Sequence, residues 1–245
     1  MNERELLLNG AKDFSIELDE EGINKFELYS RLLHEWNQKM NLTAINEKKD
    51  IVIKHFLDSL SIEPFIKAHI KQLKENKNPR LIDIGTGAGF PGIPIGIVED
   101  NLEITLLESR EKKIEFLRHI IKNIGLKLVY ALWNRAEEAG RKTEHREQYD
   151  IAVARAVAKM PVLLEYCMPF VKTGGIFISM KGKEINGIEK ANKTVKILGG
   201  EVEDIKTIEL PHSDIKRNII IIKKYRQIPS KYPRKAGKPL KKPLV

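Results

Sequence analysis

A single cysteine, Cys167, is all the thiol chemistry in 245 residues. One cysteine closes no internal disulfide, and the count fits a reducing compartment. No apolar run approaches the ~20 residues that span a bilayer. The opening stretch Met1-Asn2-Glu3-Arg4-Glu5 is polar and charged, so no secretory signal is expected. The six histidines are scattered and none stands at zinc-ligand spacing from the cysteine, so no metal site is expected. The phosphate-loop pattern G-x-x-x-x-G-K-S/T and the nucleophile pattern G-x-S-x-G are both missing, which argues against a P-loop nucleotide hydrolase and an α/β-hydrolase. These absences predict a soluble cytoplasmic protein with no membrane partner.

Acid is missing from one stretch in particular. Residues 223–245 carry nine lysines and arginines and no aspartate or glutamate, which leaves 34 basic and 34 acidic residues in 1–222. The net charge of +9 therefore resides in the tail. A Lys/Arg/Pro-rich segment without acid suits contact with a polyanion, since each neutralised phosphate releases a counterion.

The pattern elsewhere predicts two regions ahead of this tail (225–245). Residues 1–78 read as a helical cap. Ile23, Phe26, Tyr29, Leu32, Leu33, Trp36 and Met40 recur at three- and four-residue spacing, one stripe of a long helix. Shorter helices are expected near Ile51–Leu57 and Leu60–Leu73. Asn37 and Asn41, at the end of the long helix, are expected to cap it or, preferably, to brace the glycine turn described below. The polar run from Lys74 to Pro79 marks a boundary.

From 79 to 224 strands alternate with helices. Strands are expected at Leu81–Ile84, Glu103–Leu107, Lys127–Leu132, Asp150–Ala154, Gly175–Met180, Glu201–Ile208 and Asn218–Lys224, the last two antiparallel. Helices are expected from a Ser109 cap to Ile124, at Glu137–Arg141 and at Pro161–Val171. Such alternation implies an α/β fold, a mostly parallel, doubly wound seven-stranded sheet of Rossmann-like type.

The first strand runs into Gly85-Thr86-Gly87-Ala88-Gly89-Phe90-Pro91-Gly92, and Glu108 closes the second. Glycines let backbone amides approach a ligand at a helix start, and a carboxylate at the second strand end accepts the hydroxyls of a ribose. A nucleoside cofactor follows. The third glycine falls one residue earlier than in the dehydrogenase pattern G-x-G-x-x-G, which favours methyl transfer over hydride transfer without deciding it.

Trp36-Asn37, Asn41-Leu42-Thr43-Ala44-Ile45, His55-Phe56-Leu57-Asp58-Ser59-Leu60 and Asp83 through Pro94 together resemble one family. It is the bacterial small-subunit ribosomal RNA methyltransferase G family, also called glucose-inhibited division protein B. The likeness continues through Leu107-Glu108-Ser109, Asn134-Arg135-Ala136-Glu137, Ala154-Arg155-Ala156, Lys181-Gly182 and Tyr232 to Pro239, and so spans most of the chain. Lys54 stands where the family often has arginine. The resemblance implies a class I S-adenosylmethionine-dependent methyltransferase that modifies N7 of one guanine in the decoding region of 16S ribosomal RNA, with the small ribosomal subunit as partner. It implies cofactor contacts at Gly85, Phe90, Ala136, Glu137 and Arg155, beside those read from the turn at Gly85, Gly87 and Glu108.

Guanine N7 carries no proton, so no general base is expected and no catalytic histidine or cysteine. Arg155 is expected to position the base or the cofactor carboxylate, and Lys181 to meet a phosphate or guanine O6. His55 and Asp58 are expected to form a buried hydrogen-bonded pair, Cys167 to be a core residue, and the protein to be a monomer. A nicotinamide-dependent oxidoreductase, or a non-catalytic RNA-binding module on a decayed fold, are the alternatives. The first requires NAD binding, and the intact Gly85, Gly87, Glu108 and Arg155 argue against the second.

Overall fold

A computed structural model describes residues 1–73, 78–182 and 188–244. The expected boundary run from Lys74 to Pro79 lies, but for Asn78 and Pro79, outside the described residues. The N-terminal region is helical: α1 (Glu3–Asp13), α2 (Glu20–Asn37), α3 (Lys48–Ile51), a π-helical segment (Val52–Leu57), α4 (Asp58–Leu60) and α5 (Glu63–Gln72). Local chemistry starts the first two. Asn2 and Glu5 form a reciprocal capping box, and the Asp19 carboxylate accepts from Gly22 N. The apolar stripe of α2 is buried at Ile23, Phe26, Tyr29, Leu32 and Leu33.

The seven expected strands all form: β1 (Arg80–Ile84), β2 (Glu103–Glu108), β3 (Val129–Trp133), β4 (Tyr149–Arg155), β5 (Val171–Lys181), β6 (Gly200–Glu209) and β7 (Lys216–Lys224). Between them lie α6 (Gly92–Val98), α7 (Glu111–Ile124), α8 (Ala136–Ala139), α9 (Met160–Cys167) and α10 (Ile188–Ile197). The sheet order is β3-β2-β1-β4-β5-β7-β6. Strands β1 to β5 pair parallel, and β7 runs antiparallel to both β5 and β6.

Two expectations fail locally. Ser109 does not cap α7: Arg110 holds that position, and the amides of Ser109 and Arg110 donate instead to the Glu108 carboxylate. The Ser109 hydroxyl also donates to that carboxylate, at 3.3 Å, and so is turned away from the amides of the helix start. Helix α10 was not expected at all. Its sequence is lysine-rich, and among its described side chains only Ala191, Thr194 and Val195, with Leu198 just beyond, are buried, too short and partly polar a stripe to read from periodicity.

Strand alternation divides the core in two. Leu81, Leu106, Val129, Val153 and Ile178 face the N-terminal helices with α6 and α7. Ile82, Leu107, Ala152, Phe177 and Ile220 face α9, α10 and the tail residues Ile228 and Tyr232. The basic tail is therefore folded against this second face. Arg234 grips the buried Glu165 carboxylate through three side-chain hydrogen bonds of 2.6–3.0 Å, Gly237 N donates to Glu137 Oε1 at 2.9 Å, and a short helix, α11 (Lys238–Lys241), follows.

Candidate active site

The carboxyl ends of β1, β2 and β4 converge on the glycine turn. Gly85 N and Thr86 N both donate to Leu107 O, which ties the turn to β2. Gly85 (φ +69°) and Gly87 (φ +65°) lie in the left-handed region. They are needed for different reasons. A Cβ on Gly85 would come within 2.9 Å of Val157 Cγ2, whereas one on Gly87 would meet nothing nearer than Lys113 Nζ at 3.7 Å. The space above Gly87 is open, as a backbone that must approach a ligand requires.

Glu108 stands where expected. Its Oε1 accepts from Ser109 N and Arg110 N, and its Oε2 accepts from Gly87 N at 3.2 Å. The carboxylate thus bridges the first two strand ends at 6% exposure, with Oε2 the more lightly used oxygen.

Asp83, in the sequence one member of the turn motif, lies beneath this turn. Fully buried, it accepts from the Thr86 hydroxyl at 2.6 Å and from Gly92 N at 2.9 Å through Oδ2 alone. Oδ1 is buried without a hydrogen-bond partner. Burial pushes the carboxyl up to about 6 against the relief given by those two donors. An orphaned acceptor of this kind marks a polar group waiting for a partner. The available signal was an aspartate in a strand otherwise wholly apolar on its buried positions.

Arg155 ends β4 on the face of the N-terminal helices. Its guanidinium donates to Asp58 Oδ2 at 2.9 Å and to Lys54 O at 3.3 Å, approaches His55 Nδ1 at 3.3 Å, and lies 5.0 Å from the centre of the Phe90 ring. The π-helical segment makes this possible, because its widened turn presents a carbonyl, Lys54 O, to an arginine from the sheet. Asp58 also accepts from Arg217 Nε at 2.9 Å. His55 and Asp58 do not pair with each other. Both instead converge on Arg155, a three-dimensional juxtaposition that spacing along one helix does not reveal. Arg217, on β7, was missed for the same reason.

Phe90 is 5% exposed, stacked on His55 at 4.4 Å and on Tyr29 at 5.3 Å between ring centres. Tyr29 also donates to Ala88 O at 2.6 Å. The long helix therefore does brace the glycine turn, but through Tyr29. Asn37 is spent elsewhere, accepting from Leu42 N and Thr43 N and donating to Thr43 O and Asn46, while Gln38 takes the cap position and Asn41 is exposed. A short amide at the helix end satisfies the adjacent loop before it can reach the sheet. Burial and the Arg155 charge hold His55 down at about 3.

Ala136 and Glu137 open α8 just past β3. The Glu137 side chain is turned to the tail, where it receives Gly237 N. Lys181 lies on the opposite face of the sheet from Arg155, by alternation with Ile178 and Met180, and its ammonium donates to Ala158 O. Burial lowers its pKa. Cys167 is fully buried and its thiol is pushed up by burial. Among the described residues no group of three or more His, Cys, Asp or Glu is disposed to hold a metal ion, and no helix is long and apolar enough to cross a membrane.

The strand order, the antiparallel β7 and the glycine turn opposite an acid at the end of β2 define a Rossmann-like, class I methyltransferase fold. A crystallised protein of Pyrococcus horikoshii is similar in fold, with a TM-score of 0.50 and 13% identity over 66% of this chain and 63% of that one. The family described as rRNA small subunit methyltransferase G matches residues 22–220, and the chain belongs to it. A ribosomal RNA small subunit methyltransferase G of Acetivibrio thermocellus is 55% identical over 99% of this chain and 97% of its own. One from Alkaliphilus oremlandii is 49% identical over the full length of both.

Proposed function

We propose that this chain transfers the methyl group of S-adenosyl-L-methionine to N7 of one guanine in the decoding region of 16S ribosomal RNA. The observation that carries the reading is the open turn at Gly87 flanked by two carboxylates with oxygen capacity to spare, Glu108 Oε2 and Asp83 Oδ1. The residues fit the cofactor. Glu108 would accept the ribose hydroxyls, and Asp83 would take the ammonium of the amino-acid end. Gly85 and Gly87 would admit the chain between them, while the backbone of Ala136 and Glu137 would border the base. Phe90 walls the site through the aromatic stack behind the turn.

When bound, the cofactor supplies an electrophilic methyl on sulfonium sulfur. The protein's own task is placement, because a lone-pair nitrogen needs no base to deprotonate it. His55, neutral across the physiological range, fits that view, and so does the buried thiol of Cys167. Arg155 is the positioning residue: fixed by Asp58, Lys54 O and His55, it presents a pre-oriented donor to guanine O6. Lys181, whose ammonium is engaged by Ala158 O, supports the loop after β4 and meets a phosphate only if that bond opens.

RNA is the partner. A-form RNA hides N7 in a deep groove, so the target is an unstacked base. Lys235, Lys238, Lys241 and Lys242 are exposed on the folded tail, which Glu137 and Glu165 anchor. Their charge suits the phosphate backbone. All these groups come from one chain, and we read the protein as a cytoplasmic monomer.

Calorimetry with S-adenosylhomocysteine, followed by methyl-labelled cofactor and small subunits from cells lacking this protein, tests the reading. Binding with label in 16S RNA is expected. No binding refutes the cofactor assignment; binding without label refutes the substrate.

A further inference from the structure

Two aromatic side chains on β3 are exposed, Tyr130 and Trp133. Trp133 holds a position that burial does not explain. It ends β3 in register with Glu108 on β2, and Asn134 N, the next residue, donates to Glu108 O. Its indole N–H donates to Ser109 O at 3.2 Å, so the ring is fixed beside the turn whose amides the Glu108 carboxylate holds. Yet 52% of the residue remains open. A large apolar ring that is pinned but uncovered carries an unused face.

Strand alternation places Asp83, Glu108, Trp133 and Arg155 on one face, with Leu81, Leu106, Val129 and Val153 as their inward partners. In the order β3-β2-β1-β4, neighbouring strands lie about 4.8 Å apart, which puts the β3 lane roughly 14 Å from that of Arg155. Trp133 is thus remote from the methyl-transfer end. A nucleoside cofactor whose amino-acid end met Asp83 on β1 and whose ribose met Glu108 on β2 would have its base on the β3 side.

We propose that Trp133 is a positioning residue for the cofactor, stacking its indole on the adenine and closing the nucleobase end of the site. The proposal rests on the S-adenosylmethionine reading above. Stacking on one face explains why the ring is tethered at its nitrogen, leaving the π surface free.

The chain contains one other tryptophan, Trp36, which packs on Phe116 at 5.6 Å and on His119, and this provides an internal control. The test is a tryptophan-fluorescence titration with S-adenosylhomocysteine, 5′-methylthioadenosine and L-methionine, alongside calorimetry. The adenine-containing ligands are expected to change the emission of the wild type and of Trp36→Phe, and to leave Trp133→Phe unchanged although it still binds. L-Methionine alone is expected to change nothing. Trp133→Ala is expected to weaken S-adenosylhomocysteine about tenfold, with Trp133→Phe close to wild type, since a base stacks on either ring. Trp36 emission in the Trp133 variants reports whether the fold is kept.

A full response retained in Trp133→Phe, or equal affinity in Trp133→Ala, overturns the proposal while the cofactor reading stands. A response to 16S RNA without one to adenine ligands also overturns it and gives the ring to a substrate base. Wild-type protein that binds no S-adenosylhomocysteine in the calorimeter refutes the cofactor reading and the proposal together.

Discussion

Replacing Asp58 by asparagine separates the two demands placed on the Arg155 cluster. Asp58 is 3% exposed at its side chain and neutralises two arginines, Arg155 and Arg217, at 2.9 Å each. Those arginines are 14% and 24% exposed, so water recovers part of what they lose. Breaking a buried pair by removing one charge costs about 3–5 kcal/mol. Asparagine keeps one acceptor and the partners retain some solvent, so about 2–3 kcal/mol is expected here. For a chain of this size that lowers the melting temperature by roughly 5–10 °C.

The functional loss should be larger than the stability loss implies. Arg155 retains Lys54 O and His55 as neighbours but loses the bond that fixes its direction. A displacement on the order of 1 Å at a positioning group costs about a hundredfold in rate. Calorimetric melting, S-adenosylhomocysteine affinity and initial rates of methyl transfer to small subunits are the readouts, the last measured well below the melting transition. Affinity for S-adenosylhomocysteine should change by less than about threefold, because the carboxylates proposed to hold the cofactor, Asp83 and Glu108, lie on β1 and β2. Asp50→Asn is the control: its ion pair with Lys54 is 36–40% exposed and is worth at most about 1 kcal/mol. An Asp58→Asn protein with wild-type melting and wild-type rate would refute the argument that this carboxylate organises the site.

Arg155→Ala should abolish methyl transfer while S-adenosylhomocysteine binding persists, and wild-type turnover would remove Arg155 from the mechanism. Asp83 gives a pH signature. Its folded pKa of about 6 lies above the ordinary 3.8, so the native state binds the proton more tightly than the unfolded chain. The stability this confers is complete below pH ~4 and is lost as pH rises through about 6, a contribution on the order of 3 kcal/mol. Asp83→Asn should flatten that part of the stability–pH curve. Cofactor affinity in the wild type should run the other way, falling as pH drops through about 6 and the carboxylate proposed to receive the ammonium is neutralised. Equal pH dependence in the variant would refute both assignments. Exchanging Lys235, Lys238, Lys241 and Lys242 for glutamine should weaken 16S RNA binding and reduce the salt slope, by about 0.7 per lost phosphate contact. An unchanged slope would show the tail to be passive.

Substitution is the right probe for that tail because its packing is structural. Ile228 and Tyr232 are buried, and Arg146 donates to three backbone carbonyls at Ile228, Pro229 and Tyr232. Cutting the chain at 225 would remove core along with charge. The sequence reveals an acid-free tail through composition, but composition does not distinguish a loose arm from a folded strap. That depends on Glu165 and Glu137, separated from their partners by 69 and 100 residues.

The same division runs through the rest of the molecule. Strands were legible because burial on both faces demands unbroken apolar runs, as at Ile151-Ala152-Val153-Ala154, and the turn because positive φ demands glycine. Glu108 was legible because an acid at the end of β2 has a fixed spacing from the turn. Tyr29 and Asp58 were not read as site residues, since each acts on a partner brought to it only by folding: Ala88 O for one, Arg155 and Arg217 for the other. Asp83 was hidden differently. Its meaning lies in an oxygen left without a partner, which only coordinates reveal.

The central claim is that this chain methylates one guanine at N7, and the most direct test maps the product. Small subunits from cells lacking the protein are incubated with it and S-adenosyl-L-methionine, cleaved at N7-methylguanine with borohydride and aniline, and read by primer extension. The account predicts one new stop, in the decoding region, absent with Arg155→Ala. No stop from protein that binds S-adenosylhomocysteine, or stops scattered over many guanines, would contradict it.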